Sequence, residues 1–266
     1  MPLDEFKNKF KFDESRHLCF GVERELYITR DGEFFPLADE ILKSIDHDMF
    51  PSTWTHEFSA CALEQTIGPA QIEKLHETIL AMDESKDMIE KQFDVKLQAF
   101  EVAPENLPDD VYPDPSGRYQ AIQDTSPEEL VDAARRTCGI HVHIGIGNHS
   151  DALQVHQTLC NESFMEYLLS IGDNSNRERI ELMKHFTEWT FDSFSSWQDF
   201  YDHLEKKNLL HDIKSYRPLI RLTRHGTIEF RMFGSTNSKE LIEFYIKTCY
   251  NLVKFALKNI ELKNSI

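Results

Sequence analysis

Three segments of the chain alternate apolar and ionisable residues with a period of two. Side chains on a β-strand point to opposite faces in turn, so residues two positions apart share a face. In residues 22–28, 140–146 and 228–232 one face is mainly apolar, and Arg24 is its charged exception. The other face carries three pairs of ionisable residues: Glu23 and Glu25, His141 and His143, and Glu229 and Arg231. The alternation therefore predicts three strands, each with a core face and an ionisable face.

The paired ionisable residues allow two interpretations. They could form the solvated faces of amphipathic strands, but such faces usually carry Thr, Lys, Ser and Gln. Two carboxylates on one strand face repel each other, and two imidazoles there add little packing, unless a divalent cation binds them. Because three strands repeat this chemistry, the sequence favours a metal-dependent active site over three separate solvated faces.

Two further carboxylates, Glu57 and Glu64, stand apart from these strands in the segment HEFSACALE. Taken singly, each is typical of a surface charge. The residues between them, Ser59 to Ala62, are all small, which would let a loop approach a site closely. His56, next to Glu57, is more typical of a structural histidine than of a ligand.

A cluster of basic residues precedes the third strand in an otherwise acidic chain. Arg217, Arg221 and Arg224 lie in the segment YRPLIRLTRHG, whereas the formal net charge of the chain is -17. Guanidinium groups bind carboxylates and phosphates bidentately, so the cluster indicates an anion-binding site, with surface ion pairs as the alternative. The overall charge argues against nucleic-acid or anionic-membrane partners, although divalent cations would still allow a phosphorylated substrate.

Helical periodicity and turn residues predict the other elements. Extended segments are expected within 53–68 and 95–102, helices at 72–93, 151–171, 197–209 and 238–262, a helix capped by Ser126 with Pro127 first, and a loop at 103–118. A run of aromatic residues, 189–201, is expected to pack in the core. Strands separated by helices without a regular β-α-β rhythm predict an α+β fold, with helices on one face of a mainly antiparallel sheet.

The cysteines and the N-terminal residues indicate the cellular compartment. The five cysteines are scattered without a C-x-x-C motif, which is typical of free thiols in a reducing compartment. The first residues contain no apolar signal segment, and no apolar run is long enough to span a bilayer. We therefore expect a cytoplasmic protein. The chain also contains no motif of a P-loop, a Rossmann dinucleotide site or an α/β-hydrolase nucleophile elbow.

The order of these motifs resembles glutamate–cysteine ligase family 2, a group of carboxylate–amine ligases with a glutamine-synthetase-like catalytic fold. The matching segments are FGVERE at 20–25, Glu57 to Glu64, GIHVHIG at 139–145 and GTIEFR at 226–231. Weaker matches are Gly117-Arg118-Tyr119 and the segment from Ser196-Trp197 to Arg217-Pro218. Together they cover roughly residues 18–256 in the family's order.

The resemblance implies a curved antiparallel sheet with helices on its convex face, and two or three Mg²⁺ or Mn²⁺ ions and ATP on its concave face. It assigns Glu25, Glu57 and Glu64 to one ion. It assigns Glu23, His141 and Glu229 to an ion that bridges the nucleotide phosphates, with His143 near the nucleotide. Arg231, with Arg217 or Arg221, would contact the transferred phosphoryl group or the carboxylate substrate.

The expected function is an ATP-dependent ligase that forms an amide, of which a γ-glutamyl bond is one form, through an acyl phosphate. The alternatives are a non-catalytic nucleotide- or metabolite-binding homologue and a metal-dependent hydrolase or phosphotransferase that uses the same cluster. The chain ends 35 residues after Arg231, so we expect a single catalytic domain, 1–266, without the family's usual C-terminal extension. The partners would be a small acid and a small amine that no motif identifies, and the apolar final helix is compatible with a homo-oligomer.

Overall fold

The computed structural model describes residues 1–190 and 192–264 of the chain. The strands are β1 Phe20–Arg30, β2 Glu33–Phe34, β3 Thr53–His56, β4 Ala62–Ala70, β5 Lys96–Gln98, β6 Gly139–Gly145, β7 Ile220–Leu222 and β8 Thr227–Gly234. The helices are α1 Leu3–Lys7, α2 Ala38–Ser44, α3 Leu75–Phe93, α4 Arg118–Thr125, α5 Glu128–Arg136, α6 His149–Leu159, α7 Glu162–Gly172, α8 Glu178–Met183, α9 Trp197–Lys206 and α10 Lys239–Asn264.

The strands form one open antiparallel sheet in which β1, β6 and β8 are neighbours. Its order is β3-β4-β1-β6-β8-β7, and the short strands β2 and β5 also pair with β1. Every pairing between these strands is antiparallel. The three strands predicted from alternation therefore lie side by side, and the predicted α+β class with an antiparallel sheet is confirmed.

The apolar face of the sheet packs against α3, α6, α7 and α10. Val22, Val142 and Phe230, one from each neighbouring strand, are completely buried in this core. Helix α10 contributes Tyr245 and Val253 to the same cluster. Because the helices cover this face, the ionisable residues at the alternate strand positions lie on the other face. No helix in the described part of the chain is long and apolar enough to cross a membrane.

Arg24, the charged exception on the apolar face of β1, is fully buried. Its Nε and one terminal nitrogen donate to Gln65 Oε1, at 3.2 and 2.7 Å, and its other terminal nitrogen lies 3.3 Å from Asp83 Oδ1 on α3. A buried guanidinium is tolerated only when such partners replace its water. Arg24 therefore stays on the buried face of β1, as the alternation predicts, and its contact with Asp83 links the sheet to α3.

The structure corrects several local predictions. The helix expected at 151–171 is two helices, because the backbone breaks at Cys160-Asn161, where the Asn161 side chain caps α7. Helix α5 begins after Pro127 without a side-chain cap, so the predicted cap by Ser126 is wrong. Helices α1, α2, α4 and α8 were not expected, since their short segments show little periodicity.

Two predictions about core residues have clear outcomes. The aromatic residues Phe194, Trp197, Phe200 and Tyr201 are buried, as expected, and Trp189 packs at the edge of the core. Phe191 of the same run lies outside the described residues. All five cysteines are free and buried, which agrees with the absence of a disulfide framework.

Candidate active site

A cavity of about 350 Å³ lies over the ionisable face of the sheet. All ten residues that were predicted to form the site line it, together with Arg224. They are Glu23, Glu25, Glu57, Glu64, His141, His143, Arg217, Arg221, Glu229 and Arg231. Residues from β1, β3–β4, β6, β7 and β8 thus meet at one place, although they are spread over more than two hundred positions of the sequence.

The strand register explains this convergence. Across β1 and β6 Glu23 lies opposite His141, and across β6 and β8 His143 lies opposite Glu229. On the other edge of β1, Glu25 lies opposite Glu64 of β4. Directly opposed side chains on a sheet have Cβ atoms about 5 Å apart, close enough to share a ligand or an ion pair.

Glu23, His141, His143 and Glu229 form what we call the paired cluster. His141 Nδ1 lies 2.9 Å from Glu23 Oε2, and His143 Nε2 lies 3.2 Å from Glu23 Oε1. Burial raises the pKa of Glu23, but the charge of His143 and hydrogen bonds from both histidines outweigh it and hold this pKa well below its usual range. Glu23 is therefore an anion held between two imidazoles.

Glu229 is the most enclosed member of the paired cluster, with no exposed surface. The guanidinium groups of Arg221 and Arg231 both donate hydrogen bonds to its carboxylate. Burial alone would raise the pKa of Glu229, but the two arginine charges outweigh it and hold the pKa far below its ordinary value. The negative charge of Glu229 is therefore balanced by arginines of the protein itself.

Glu25, Glu57 and Glu64 form what we call the acidic cluster. Burial, and next the charge of Glu57, raises the pKa of Glu25 to about 7. Burial also raises the pKa of Glu57, and burial with the charges of Glu23 and Glu57 raises that of Glu64 well above its ordinary value. Among the described residues, no ion pair includes Glu57 or Glu64, and the basic group beside Glu25 is the His141 imidazole, whose Nε2 lies 3.7 Å from Glu25 Oε1. The acidic cluster thus lacks compensating charge.

The donor atoms of both clusters fit divalent cations. The cavity contains three groups of three residues, and within each group the ligand atoms lie within 4.8 Å of one another. The groups are Glu25, Glu57 and Glu64; Glu23, His143 and Glu229; and Glu23, Glu64 and His141. His143 Nε2 faces Glu23 Oε1 at 3.2 Å, so this imidazole nitrogen and this carboxylate are placed to bind the same cation. Carboxylate oxygens with one imidazole suit Mg²⁺ or Mn²⁺. We therefore conclude that these residues fit the ions that the sequence predicts.

The grouping of the histidines differs in detail from the one expected. The sequence resemblance placed His141 with Glu23 and Glu229, and His143 near the nucleotide. In the structure His143 joins Glu23 and Glu229, while His141 joins Glu23 and Glu64. His141 Nδ1 nevertheless lies 3.9 Å from Glu229 Oε1. The assignment of each imidazole to an ion or to the nucleotide stays a prediction.

The three predicted arginines have different surroundings. Arg221 and Arg231 are paired with Glu229, whereas Arg217 has no ion pair among the described residues. Burial, and next the charges of Arg231 and Arg118, lowers the pKa of Arg217 to about 10, so it remains a cation at neutral pH. Arg217 is therefore the guanidinium of this set that is most available to an incoming anion.

Several lining residues were missed by the sequence patterns. Thr227 bonds His143 Nδ1 at 3.0 Å and so orients the ring, with Nε2 turned towards Glu23. Arg179, buried on α8, donates to the carbonyls of Cys138 and Met232 at 3.0 and 2.9 Å, which ties β6 to β8 beside the site. A lone threonine or an arginine in a short helix has no spacing signal, so only the structure reveals these contacts.

The fold resembles that of known ligases. No protein-family model matches the chain, and no curated protein matches it. The crystal structure of a bifunctional glutathione synthetase from Pasteurella multocida superposes with a TM-score of 0.55 at 12% identity, covering 90% of this chain and 38% of that chain. The crystal structure of a glutamate–cysteine ligase from Francisella tularensis, in complex with AMP, gives a TM-score of 0.50 at 14% identity, covering 94% and 71%.

At such low identity these comparisons establish the fold. The open antiparallel sheet with helices on one face is the architecture that this chain shares with the two ligases. The chain spans little more than a third of the length of the glutathione synthetase. The resemblance to glutamate–cysteine ligase family 2 rests on the sequence motifs alone and stays a prediction.

Proposed function

We propose that this protein is an ATP-dependent carboxylate–amine ligase that forms an amide through an acyl phosphate. The observation that carries this proposal is that one cavity brings two groups of cation ligands together with Arg217, which has no ion pair among the described residues. A ligase of this kind must hold a triphosphate and a carboxylate together, although both are anions. The shared fold supports the proposal, because its structural neighbours are named as glutathione-forming and glutamate–cysteine ligases.

The reaction has two steps. A carboxylate oxygen of the acid attacks the γ-phosphorus of ATP, the bond to ADP breaks, and an acyl phosphate forms. The neutral amine then attacks the acyl carbon, the C–O bond to phosphate breaks, and inorganic phosphate and one proton leave. Bound divalent cations would offset the repulsion between the two anions and the charge that develops on the phosphoryl oxygens.

The residues of the cavity have roles that match this chemistry. The acidic cluster would hold one cation, and the paired cluster would hold the cation beside the phosphates. Arg217 would bind the carboxylate of the acid or the phosphoryl group, since it has no competing ion pair among the described residues. Glu229 keeps Arg221 and Arg231 in fixed positions beside it, so these charges need no reorganisation during the reaction.

The test is release of phosphate by the purified protein with ATP and Mg²⁺ or Mn²⁺. We expect release only when both a carboxylic acid and an amine are present, and the amide should be detected by mass spectrometry. Glu64→Gln and Arg217→Gln should abolish the activity, whereas Glu84→Gln, an exposed glutamate on α3, should not. Phosphate release that is indifferent to the amine would overturn the proposal.

The same measurements separate the two alternatives. Turnover of esters, amides or phosphates without nucleotide would indicate a metal-dependent hydrolase. Binding of ATP with Mg²⁺ in calorimetry, without turnover over a broad panel of acids and amines, would indicate a binding module. The cytoplasm and a small-molecule acid and amine remain our predictions for location and partners.

A further inference from the structure

One wall of the cavity is apolar, in contrast to the charged strand residues. It is contributed by helices α4, α5 and α8 and the residues just after α8. Its members are Tyr119, Ile122, Leu130, Ala134, Met183 and Phe186. We call this surface the apolar wall. A cavity that needed only to hold ATP phosphates and a small acid would have no use for it.

The apolar wall is not simply an edge of the hydrophobic core. Met183 is buried in the main core and Phe186 packs against it. Ile122, Leu130 and Ala134 are only partly buried, and none of them belongs to a core cluster in the described part of the chain. A short amphipathic helix normally directs its apolar side chains into protein. Here they face the cavity, which indicates an apolar group on a ligand.

The apolar wall adjoins the acidic end of the cavity. The ring of Tyr119 packs edge-on against Phe58 with centroids 5.4 Å apart, and the backbone N–H of Phe58 donates to the carboxylate of Glu57. Helix α5 leads directly into β6, where the N–H of Gly139 donates to Glu25 Oε2 at 2.6 Å. An apolar surface beside carboxylates accepts an anionic ligand poorly, whereas an amine that carries a hydrocarbon group suits both surfaces.

The acid and the phosphates of ATP are anions. They require the proposed cations and the cavity's arginines, among them Arg217, which has no ion pair in the described part of the chain. Two uncharged groups then remain for the apolar wall, the adenine of ATP and the hydrocarbon part of the amine. Because the wall adjoins the acidic cluster, whose carboxylates attract an amino group, we assign it to the amine, and the test below includes the adenine as the competing occupant.

We propose that the amine substrate carries an apolar group, such as an alkyl or aryl chain or a hydrocarbon amino-acid side chain, that packs against Ile122, Leu130 and Met183. This inference rests on the proposed ligase function, because that function requires an amine. It names a substrate class that the metal and arginine residues do not specify.

The test is a series of unbranched primary amines from methylamine to pentylamine. Their binding is measured by ligand-observed NMR, with and without ATP and Mg²⁺. We expect the affinity to rise about threefold to fourfold for each added methylene until the wall is filled. Leu130→Asn and Ile122→Asn should flatten this series, and both residues are partly exposed, so the variants should fold. Leu80→Asn, at an exposed leucine on α3, is the matched control and should leave the series unchanged.

Two outcomes would overturn the inference. One is an affinity that does not depend on chain length in the unaltered protein. The other is a Leu130→Asn variant that weakens binding of ATP but leaves the amine series unchanged, which would assign the wall to the nucleotide base.

Turnover separates this inference from the proposed function. Ligation with a kcat/KM that is the same for all five amines would overturn the apolar site and leave the ligase proposal intact. A steep binding series without acid-dependent phosphate release would overturn the ligase proposal and support the apolar amine site.

Discussion

The acidic cluster and the paired cluster lie on the same sheet face, yet their charges are balanced in opposite ways. In the paired cluster, two imidazoles and two guanidinium groups surround Glu23 and Glu229, and both carboxylates have lowered pKa values. In the acidic cluster, burial without a comparable partner raises the pKa values of all three carboxyl groups. The first cluster is therefore complete as a charge network in the protein alone, whereas the second requires protons or a cation.

Similar ligand residues therefore stabilise the folded state in one cluster and destabilise it in the other. A buried carboxylate that is the shared partner of two arginines holds its surroundings together. A carboxylate among other buried carboxylates destabilises the folded state until a cation binds.

Replacement of Glu229 should have the largest effect on stability. Glu229→Ala leaves the largely enclosed Arg221 and Arg231, whose side chains are 20% and 17% exposed, without their shared partner, so we expect the free energy of unfolding to fall by about 3 kcal/mol. Glu64→Gln removes a repelling charge and should leave the metal-free protein as stable as before or more stable. Urea unfolding in EDTA measures both. Equal losses in the two variants would contradict the contrast between the clusters.

Binding of Mn²⁺ should stabilise the protein through the acidic cluster. At a free Mn²⁺ concentration one hundred times the dissociation constant, linkage predicts a gain of about 2.7 kcal/mol for one site. Thermal unfolding with increasing Mn²⁺ would show it as a rising Tm. Glu57→Gln should reduce this gain, and Glu84→Gln on the exposed face of α3 should not. A gain that survives Glu57→Gln would place the ion elsewhere.

The metal-free protein should lose stability as the pH rises towards neutrality. The folded-state pKa of Glu25 is raised from 4.5 to about 7, so the folded state binds more protons than the unfolded state between these values. This contribution is complete below pH 4.5 and is lost as the pH rises to about 7, with a magnitude of about 3 kcal/mol. Denaturation in EDTA at several pH values measures it. Glu25→Gln should flatten the profile, and a profile that rises with pH in both proteins would refute the assignment.

Loss of the hydroxyl that orients His143 should have the smallest effect. Thr227→Val keeps the size of the side chain but removes the 3.0 Å bond to His143 Nδ1. Because partners behind a metal ligand fix its orientation, we expect metal affinity to fall about tenfold with little change in stability. Calorimetric titration with Mn²⁺ measures the affinity. Thr66→Val, which alters a longer 3.4 Å contact with Glu64 in the other cluster, serves for comparison.

Local sequence patterns were enough to predict the three central strands β1, β6 and β8, their two faces and most of the cavity's charged residues, whereas the short strands β2 and β7 were not predicted. Alternation depends only on neighbouring positions, because the period of a strand is two wherever it lies in the fold. That is why Glu23, His141 and Glu229 could be placed on ionisable faces, and why Arg24 could be recognised as an exception. The α+β class followed from the spacing of strands and helices.

Which of these residues lie next to one another, and how their charges are compensated, depends on the tertiary structure. The register that sets Glu23 opposite His141, and Glu229 opposite His143, is formed between strands more than eighty residues apart, so no local pattern specifies it. The arginine partners of Glu229 make it a buried ion pair, and the apolar wall comes from short helices without clear periodicity. Long-range packing sets burial, and burial sets the free energy of every charge in the site.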